Sequence, residues 1–234
     1  MNNMYMDDSY KREFHARVVS AESLSVVLDD TAFYPTSGGQ PNDTGIITGS
    51  DGLLYTVTNV KKDDGKIVHI VDKEGLQTGE HVKCIINWER RYMLMRMHTA
   101  AHVLSSVVAK NGALITGKQL GIDGSRIDFS FENFNKERID EIADRANKLI
   151  EKGAHVKTYF LKKDDALKIP GVVKLAEKMP PDLPELRIVD IDKVDVQACG
   201  GTHVRDIREI GKIRVTGTEN KGKANRRMYY TVEE

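Results

Sequence analysis

Along the first 87 residues, apolar residues gather in short β-branched runs at 15–19, 24–28, 53–60, 66–71 and 81–86. Turn signals such as Ser50-Asp51-Gly52 and Asp63-Asp64-Gly65 separate them. Runs spaced this closely predict strands of a small β-barrel or sandwich. The period then changes. Residues 88–110 contain no Gly or Pro and end at Asn111-Gly112, which predicts a long helix with a C-terminal stop. A strand pattern follows at 126–131. A second helix, capped by Asn135 and ended by Gly153, carries Ile139, Ile142, Ala146, Leu149 and Ile150 on one face. Further strands fit 156–161, 187–196, 212–215 and 228–232, and the Pro-rich stretch 179–184 reads as a loop. The expectation is an α+β chain of two domains. Residues 1–87 form a β-barrel-like domain, and 88–234 an α+β domain with a mainly antiparallel sheet.

The 234 residues are 40% hydrophobic and 30% charged, enough to bury a core. The 35 Lys+Arg and 35 Asp+Glu cancel, which excludes a wholly basic nucleic-acid coat but not a local patch. The charge is unevenly placed: 1–87 holds 8 basic and 13 acidic residues, whereas 205–227 holds 8 basic and 3 acidic. That strip includes Lys221, Lys223, Arg226 and Arg227, and reads either as a solvated face or as phosphate contacts. Two cysteines make no disulfide framework, so a reduced thiol or a metal ligand is the better reading. The polar N-terminus does not resemble a signal peptide, and no apolar run approaches the ~20 residues of a membrane span. A soluble, cytoplasmic protein is expected.

Two short motifs carry the candidate chemistry. His98-Thr99-Ala100-Ala101-His102 puts two imidazoles four apart in the long helix, hence on one face. Cys199-Gly200-Gly201-Thr202-His203 puts a thiol and an imidazole in a glycine-containing turn between predicted strands. Three nitrogens and one sulfur form a donor set that suits zinc better than magnesium or calcium. The first motif lacks the glutamate of a metalloprotease HExxH, and the long gap between motifs is not that of a zinc finger. His15, His69, His81 and His155 have no such partners and read as strand surface. Cys84, in an apolar run, reads as a buried thiol.

At these residues the chain resembles the editing domain of alanyl-tRNA synthetase and the free-standing AlaX editing proteins. The His98–His102 helix and the Cys199–His203 turn are similar to that family's two metal motifs. The run from Phe33 to Gly45, with Pro35, Gly38, Gly39, Gln40, Pro41 and Asp43, is similar to its glycine-rich motif. The strand from Ser125 resembles the one that follows the family's metal helix. The likeness covers roughly residues 14–232, and fits the stand-alone form with the glycine motif. It implies a zinc-dependent aminoacyl-tRNA deacylase that hydrolyses mischarged tRNA(Ala), chiefly Ser-tRNA(Ala), with Gly-tRNA(Ala) a further candidate.

The same resemblance implies one zinc ion on His98, His102, Cys199 and His203. It implies a hydroxyl-sensing Thr116, where this chain reads Thr116-Gly117-Lys118-Gln119 in place of a Gln-Lys-Gly-Ser-like run. Gly38, Gly39 and Gln40 are implied to face the editing pocket and shape selectivity. The tRNA acceptor stem is the implied partner, and the strip at Lys221, Lys223, Arg226 and Arg227 is the candidate contact. Two other readings stand beside this one: a tRNA-binding module with a purely structural zinc, and editing of a different aminoacyl-tRNA.

Overall fold

The computed structural model describes residues 2–110, 112–130, 136–173, 183–222 and 225–233. Asn111, Phe131, Asn135, Lys223 and the stretch 179–182, which figure in the sequence-based expectations, lie outside the described residues. The chain splits into two compact units, Met1–Leu94 and Met95–Glu234.

The first unit opens with β1 (Asn2–Asn3) and the one-turn helix α1 (Met4–Asp7). Next come β2 (Glu13–Glu22), β3 (Ser25–Leu28), β4 (Asp30–Thr31), β5 (Gly45–Thr48), β6 (Leu54–Asp63), β7 (Lys66–Val71) and β8 (His81–Ile86). Six of these close a barrel in the order β2-β3-β7-β6-β5-β8, every pair antiparallel. The alternation legible in the sequence is what closes it. Phe14, Ala16 and Val18 of β2 and Val82, Cys84 and Ile86 of β8 point inward in register, with Phe14 opposite Cys84. The structure thus selects the barrel from the two architectures the pattern allows. Gly45 is obligatory in β5, because a Cβ there would fall on the Ile85 carbonyl of β8. Burial pushes the Cys84 thiol up to about 12, as an inert core residue.

One sequence expectation fails in the barrel. His69 is not strand surface but fully buried, its ring between the Thr31 hydroxyl (2.9 Å) and the Val26 carbonyl (3.1 Å). Ile67 and Val71 share the inward row of His69 while Val68 and Ile70 occupy the other, so the run reads apolar on both faces and hides the histidine's direction.

Helix α2 (Trp88–Lys110) starts where the Asn87 side chain accepts from the Arg90 amide (3.1 Å) and stops before Gly112, at φ 81°. The second unit then contains β9 (Ile115–Gln119), β10 (Ser125–Phe129), α3 (Lys136–Lys152), β11 (Val156–Lys162), the short α4 (Lys163–Ala166), β12 (Glu185–Ile191) and β13 (Asp195–Ala198). A 3-10 turn (Ile207–Ile210) precedes the hairpin β14 (Lys212–Asn220)–β15 (Arg226–Glu233). These strands form two antiparallel sheets, β14-β15-β10-β9 and β11-β12-β13. The fold is therefore α+β. No helix among the described residues is long and apolar enough to cross a membrane.

The single strand expected over 187–196 is a hairpin, β12–β13, turned at Asp192–Val194 with Lys193 at φ 59°. A lysine in the left-handed region gives no turn signal in sequence, which is why the break is silent there.

Candidate metal centre

Helix α2 is buried through its middle turns, so His98 and His102 are held in packed surroundings rather than on a solvated face. The Cys199–His203 turn leaves β13 and brings its two side chains to them. One donor atom from each of His98, His102, Cys199 and His203 lies within 4.8 Å of the others. Cys199 Sγ is 3.5 Å from His98 Nε2 and 3.5 Å from His203 Nε2. The ring centroids of His203 stand 4.3 Å from His98 and 4.6 Å from His102.

Three neighbours set this geometry. Asp195, at the start of β13, places Oδ2 3.0 Å from His102 Nδ1, so that Nδ1–H donates outward and Nε2 is turned to the cluster. The Thr99 hydroxyl donates to the Met95 carbonyl (2.9 Å), which uses its one proton. It must then accept from His203 Nδ1 (3.1 Å), which again leaves Nε2 for the cluster. The same hydroxyl accepts from the Val204 amide (3.2 Å), tying the end of the turn to α2. Arg187, buried on β12, clamps the turn's beginning. Its carbonyl accepts from the Cys199 amide (2.9 Å), and its Nη1 donates to the Cys199 and Gly201 carbonyls (2.9 Å each).

The electrostatics favour ligating forms. Burial, and then the charge of Lys118, pull His98 down to about 4. Burial, with His98 beside it, holds His203 well below the usual histidine value. Burial alone would raise the Cys199 thiol, but His98 and Lys118 beside it bring it well below the ordinary thiol value. Neutral imidazoles and an easily ionised thiol are the forms in which these groups bind metals. The four side chains can hold a single metal ion.

The other sequence candidates are placed as follows. Thr116 is exposed on β9, and its hydroxyl donates to Asn225 Oδ1 (3.0 Å). In the barrel unit, Gly38 and Gly39, at φ 58° and 84°, form a two-residue turn closed by mutual backbone bonds between Ser37 and Gln40. Gln40 is buried, and three residues on, Asp43 accepts from the Tyr34 amide (2.5 Å). In the basic strip, Lys221 pairs with Glu219 at 2.6 Å. Arg226 donates to Asn220 Oδ1 (2.8 Å) and the Gly222 carbonyl. Arg227 makes a bidentate pair with Asp128 (2.7 and 2.9 Å). Of the two tyrosines that follow, Tyr230 is core, donating to the Met97 carbonyl (2.9 Å), and Tyr229 donates to Glu219 (2.9 Å) on the strand surface.

Sequence reasoning missed Thr99, Lys118, Arg187 and Asp195. A charged residue within the apolar run 186–191 was a usable signal for Arg187, and a threonine between two helical ligands for Thr99. Lys118 had none, because β9 itself was not foreseen.

A barrel unit followed by an α+β unit with a three-histidine, one-cysteine cluster is matched by models of two synthetase-related families. Residues 4–90 match tRNA synthetases class II (A), and 186–229 match the threonyl and alanyl tRNA synthetase second additional domain. Over its whole length the chain is 45% identical to the alanyl-tRNA editing protein AlaX-M of Saccharolobus solfataricus, covering 98% of each. It is 45% identical to the AlaX-M of Methanosarcina barkeri, again over 98% of each. The alanine–tRNA ligase of Sulfurisphaera tokodaii is 35% identical over 92% of this chain but only 24% of the ligase. The chain belongs to the AlaX-M family of alanyl-tRNA editing proteins.

Proposed function

We propose that this protein is a cytoplasmic trans-editing hydrolase. It would deacylate mischarged tRNA(Ala), chiefly Ser-tRNA(Ala) and secondarily Gly-tRNA(Ala), with one zinc ion on His98, His102, Cys199 and His203. The observation that carries the reading is the convergence of those four donors in a chain of this family. Zn–N near 2.0–2.1 Å and Zn–S near 2.3 Å require roughly 3.6 Å between N and S in a tetrahedron. Cys199 Sγ lies 3.5 Å from both His98 Nε2 and His203 Nε2, and the His102 donor lies within 4.8 Å of the other three.

When bound, zinc supplies Lewis acidity toward the ester carbonyl or an attacking water. The remaining work falls to the chain. Asp195 and Thr99 hold His102 and His203 with their Nε2 lone pairs inward, and Arg187 fixes the turn that presents Cys199. Alanine lacks the hydroxyl of serine, so sparing Ala-tRNA(Ala) requires a site that rewards that group, a far stronger discriminator than an apolar pocket. Thr116 is our candidate for that contact, which would require its hydroxyl to exchange Asn225 for substrate. Gly38, Gly39 and Gln40 are proposed to shape selectivity. Lys221, Lys223, Arg226 and Arg227 are proposed to meet tRNA phosphates, with Arg227 acting from within its Asp128 pair.

The test is serine release from Ser-tRNA(Ala), beside Ala-tRNA(Ala), by wild type and by Cys199→Ala/His203→Ala. Release that spares alanine and is lost in the variant supports the reading. A fully ligated four-donor site also fits a structural zinc in a tRNA-binding module. That second reading predicts tRNA binding with no release by metal-loaded wild type.

A further inference from the structure

The sheet β14-β15-β10-β9 treats its cations in two ways. On one face, Asp128 holds Arg126 (2.5 Å) and Arg227 (2.7 Å), and Glu219 holds Lys221 (2.6 Å). The opposite row runs through Lys118, Ile127 and Met228, paired in register across β9, β10 and β15. Ile127 and Met228 are fully buried, so Lys118 extends from an inward, apolar row. Among the described residues it pairs with no carboxylate. Its Nζ lies 2.9 Å from His98 Nε2, the nitrogen that also stands 3.5 Å from Cys199 Sγ.

An ion on these four donors would take the His98 lone pair and repel the ammonium, which could then no longer donate there. The ammonium would still stand beside the metal site, 2.9 Å from a ligand nitrogen in this structure, and would need an oxygen acceptor. Resting on the editing function proposed above, we propose that Lys118 is a catalytic residue that donates to the carbonyl oxygen of the scissile aminoacyl ester. Water adds its oxygen to the acyl carbon, and the carbonyl oxygen gathers negative charge. The bond to the ribose oxygen then breaks, and that oxygen takes a proton from the water. Lys118 keeps its proton throughout and stabilises the charged oxygen, as an oxyanion-hole donor does.

The test uses the full chain, with Lys118→Met and Lys118→Arg against wild type. Three quantities are measured: zinc affinity by chelator competition, tRNA(Ala) affinity with its salt dependence, and kcat for serine release. The expected result for Lys118→Met is zinc affinity equal to or tighter than wild type, unchanged tRNA affinity, and kcat lower by about 100-fold or more. Lys118→Arg, which keeps the charge, recovers part of kcat. Weaker zinc binding in Lys118→Met would overturn the proposal, since the lysine would then only support the thiolate. A loss confined to KM, with a shallower salt slope, would overturn it in favour of a phosphate contact. Unchanged kcat overturns it outright. Wild type that releases no serine or glycine from tRNA(Ala) overturns the editing reading and this step together. That failure is read before any variant is assayed.

Discussion

The barrel and the second unit both bury histidine, and they treat it oppositely. In the barrel, His69 commits both ring nitrogens to protein atoms, the Thr31 hydroxyl and the Val26 carbonyl. In the second unit, His102 and His203 each commit Nδ1, to Asp195 and Thr99, and turn Nε2 toward Cys199 and one another. Burial alone therefore does not mark a functional histidine. What marks it is where the second nitrogen points. The same contrast runs through the buried cations. Arg91 is saturated by Asp43, the Ser9 carbonyl and the Ala32 carbonyl, all within the barrel unit. Lys118, among the described residues, meets His98 and the charge of Cys199 but no carboxylate.

The largest effect expected from this contrast lies in the closed region. Arg91→Ala leaves Asp43 as a buried charge without its counter-ion. Breaking such a pair from one side costs about 3–5 kcal/mol. Denaturant unfolding of the two chains measures it. A loss under about 1 kcal/mol would mean that the pair is no keystone of the barrel.

A somewhat smaller effect isolates the barrel histidine's share of the pH dependence. Burial draws His69 from 6.5 to about 4. Between these values the unfolded chain takes up a proton that the folded barrel refuses, so stability falls as pH falls through that window and is fully present above pH 6.5. The full span is worth about 3 kcal/mol, at roughly 1.4 kcal/mol per pH unit. His69→Gln should flatten this acid limb while leaving zinc affinity at neutral pH unaltered. An acid limb as steep in the variant as in wild type would show that His69 is not its source.

How far the sequence reveals each region follows from the same physics. Most barrel strands were legible because one side of each buries apolar residues, and α2, buried on every side over residues 94–108, because it runs without Gly or Pro up to Asn111-Gly112. The four candidate donors were legible because they sit in two tight motifs. Asp195 and Lys118 were not, because each acts through a partner on another element, while Thr99 and Arg187 left only the local signals named above. His102 to Asp195 spans 93 residues and His98 to Lys118 spans 20, across a strand the pattern did not announce. The β12–β13 turn was hidden for a local reason, the positive φ of Lys193, and His69 because its strand is apolar on both sides.

The smallest effects should divide the two regions most cleanly. Asp195→Asn keeps an oxygen that can accept from His102 Nδ1 and from Gln197 Nε2 (2.7 Å in wild type), but removes the charge that makes the ring a stronger ligand. Changes of this kind lower metal affinity by about 10–100-fold. The near-isosteric swap should leave the unfolding midpoint of metal-free protein within about 0.5 kcal/mol of wild type, if its charge is not a fold determinant. Thr31→Val in the barrel is the mirror experiment. It takes a partner from His69 and the acceptor to which the Phe33 amide donates, at a cost of about 1–3 kcal/mol. Zinc affinity should not move, because the Thr31 hydroxyl serves His69 and Phe33 within the barrel unit. Chelator competition and denaturation on both variants give four numbers. The comparison holds if Asp195→Asn loses affinity without stability and Thr31→Val loses stability without affinity. It breaks if either variant moves both, since a carboxylate that merely packs the fold, or a barrel histidine coupled to the ion, would each erase the distinction between a histidine that closes a core and one that opens a site.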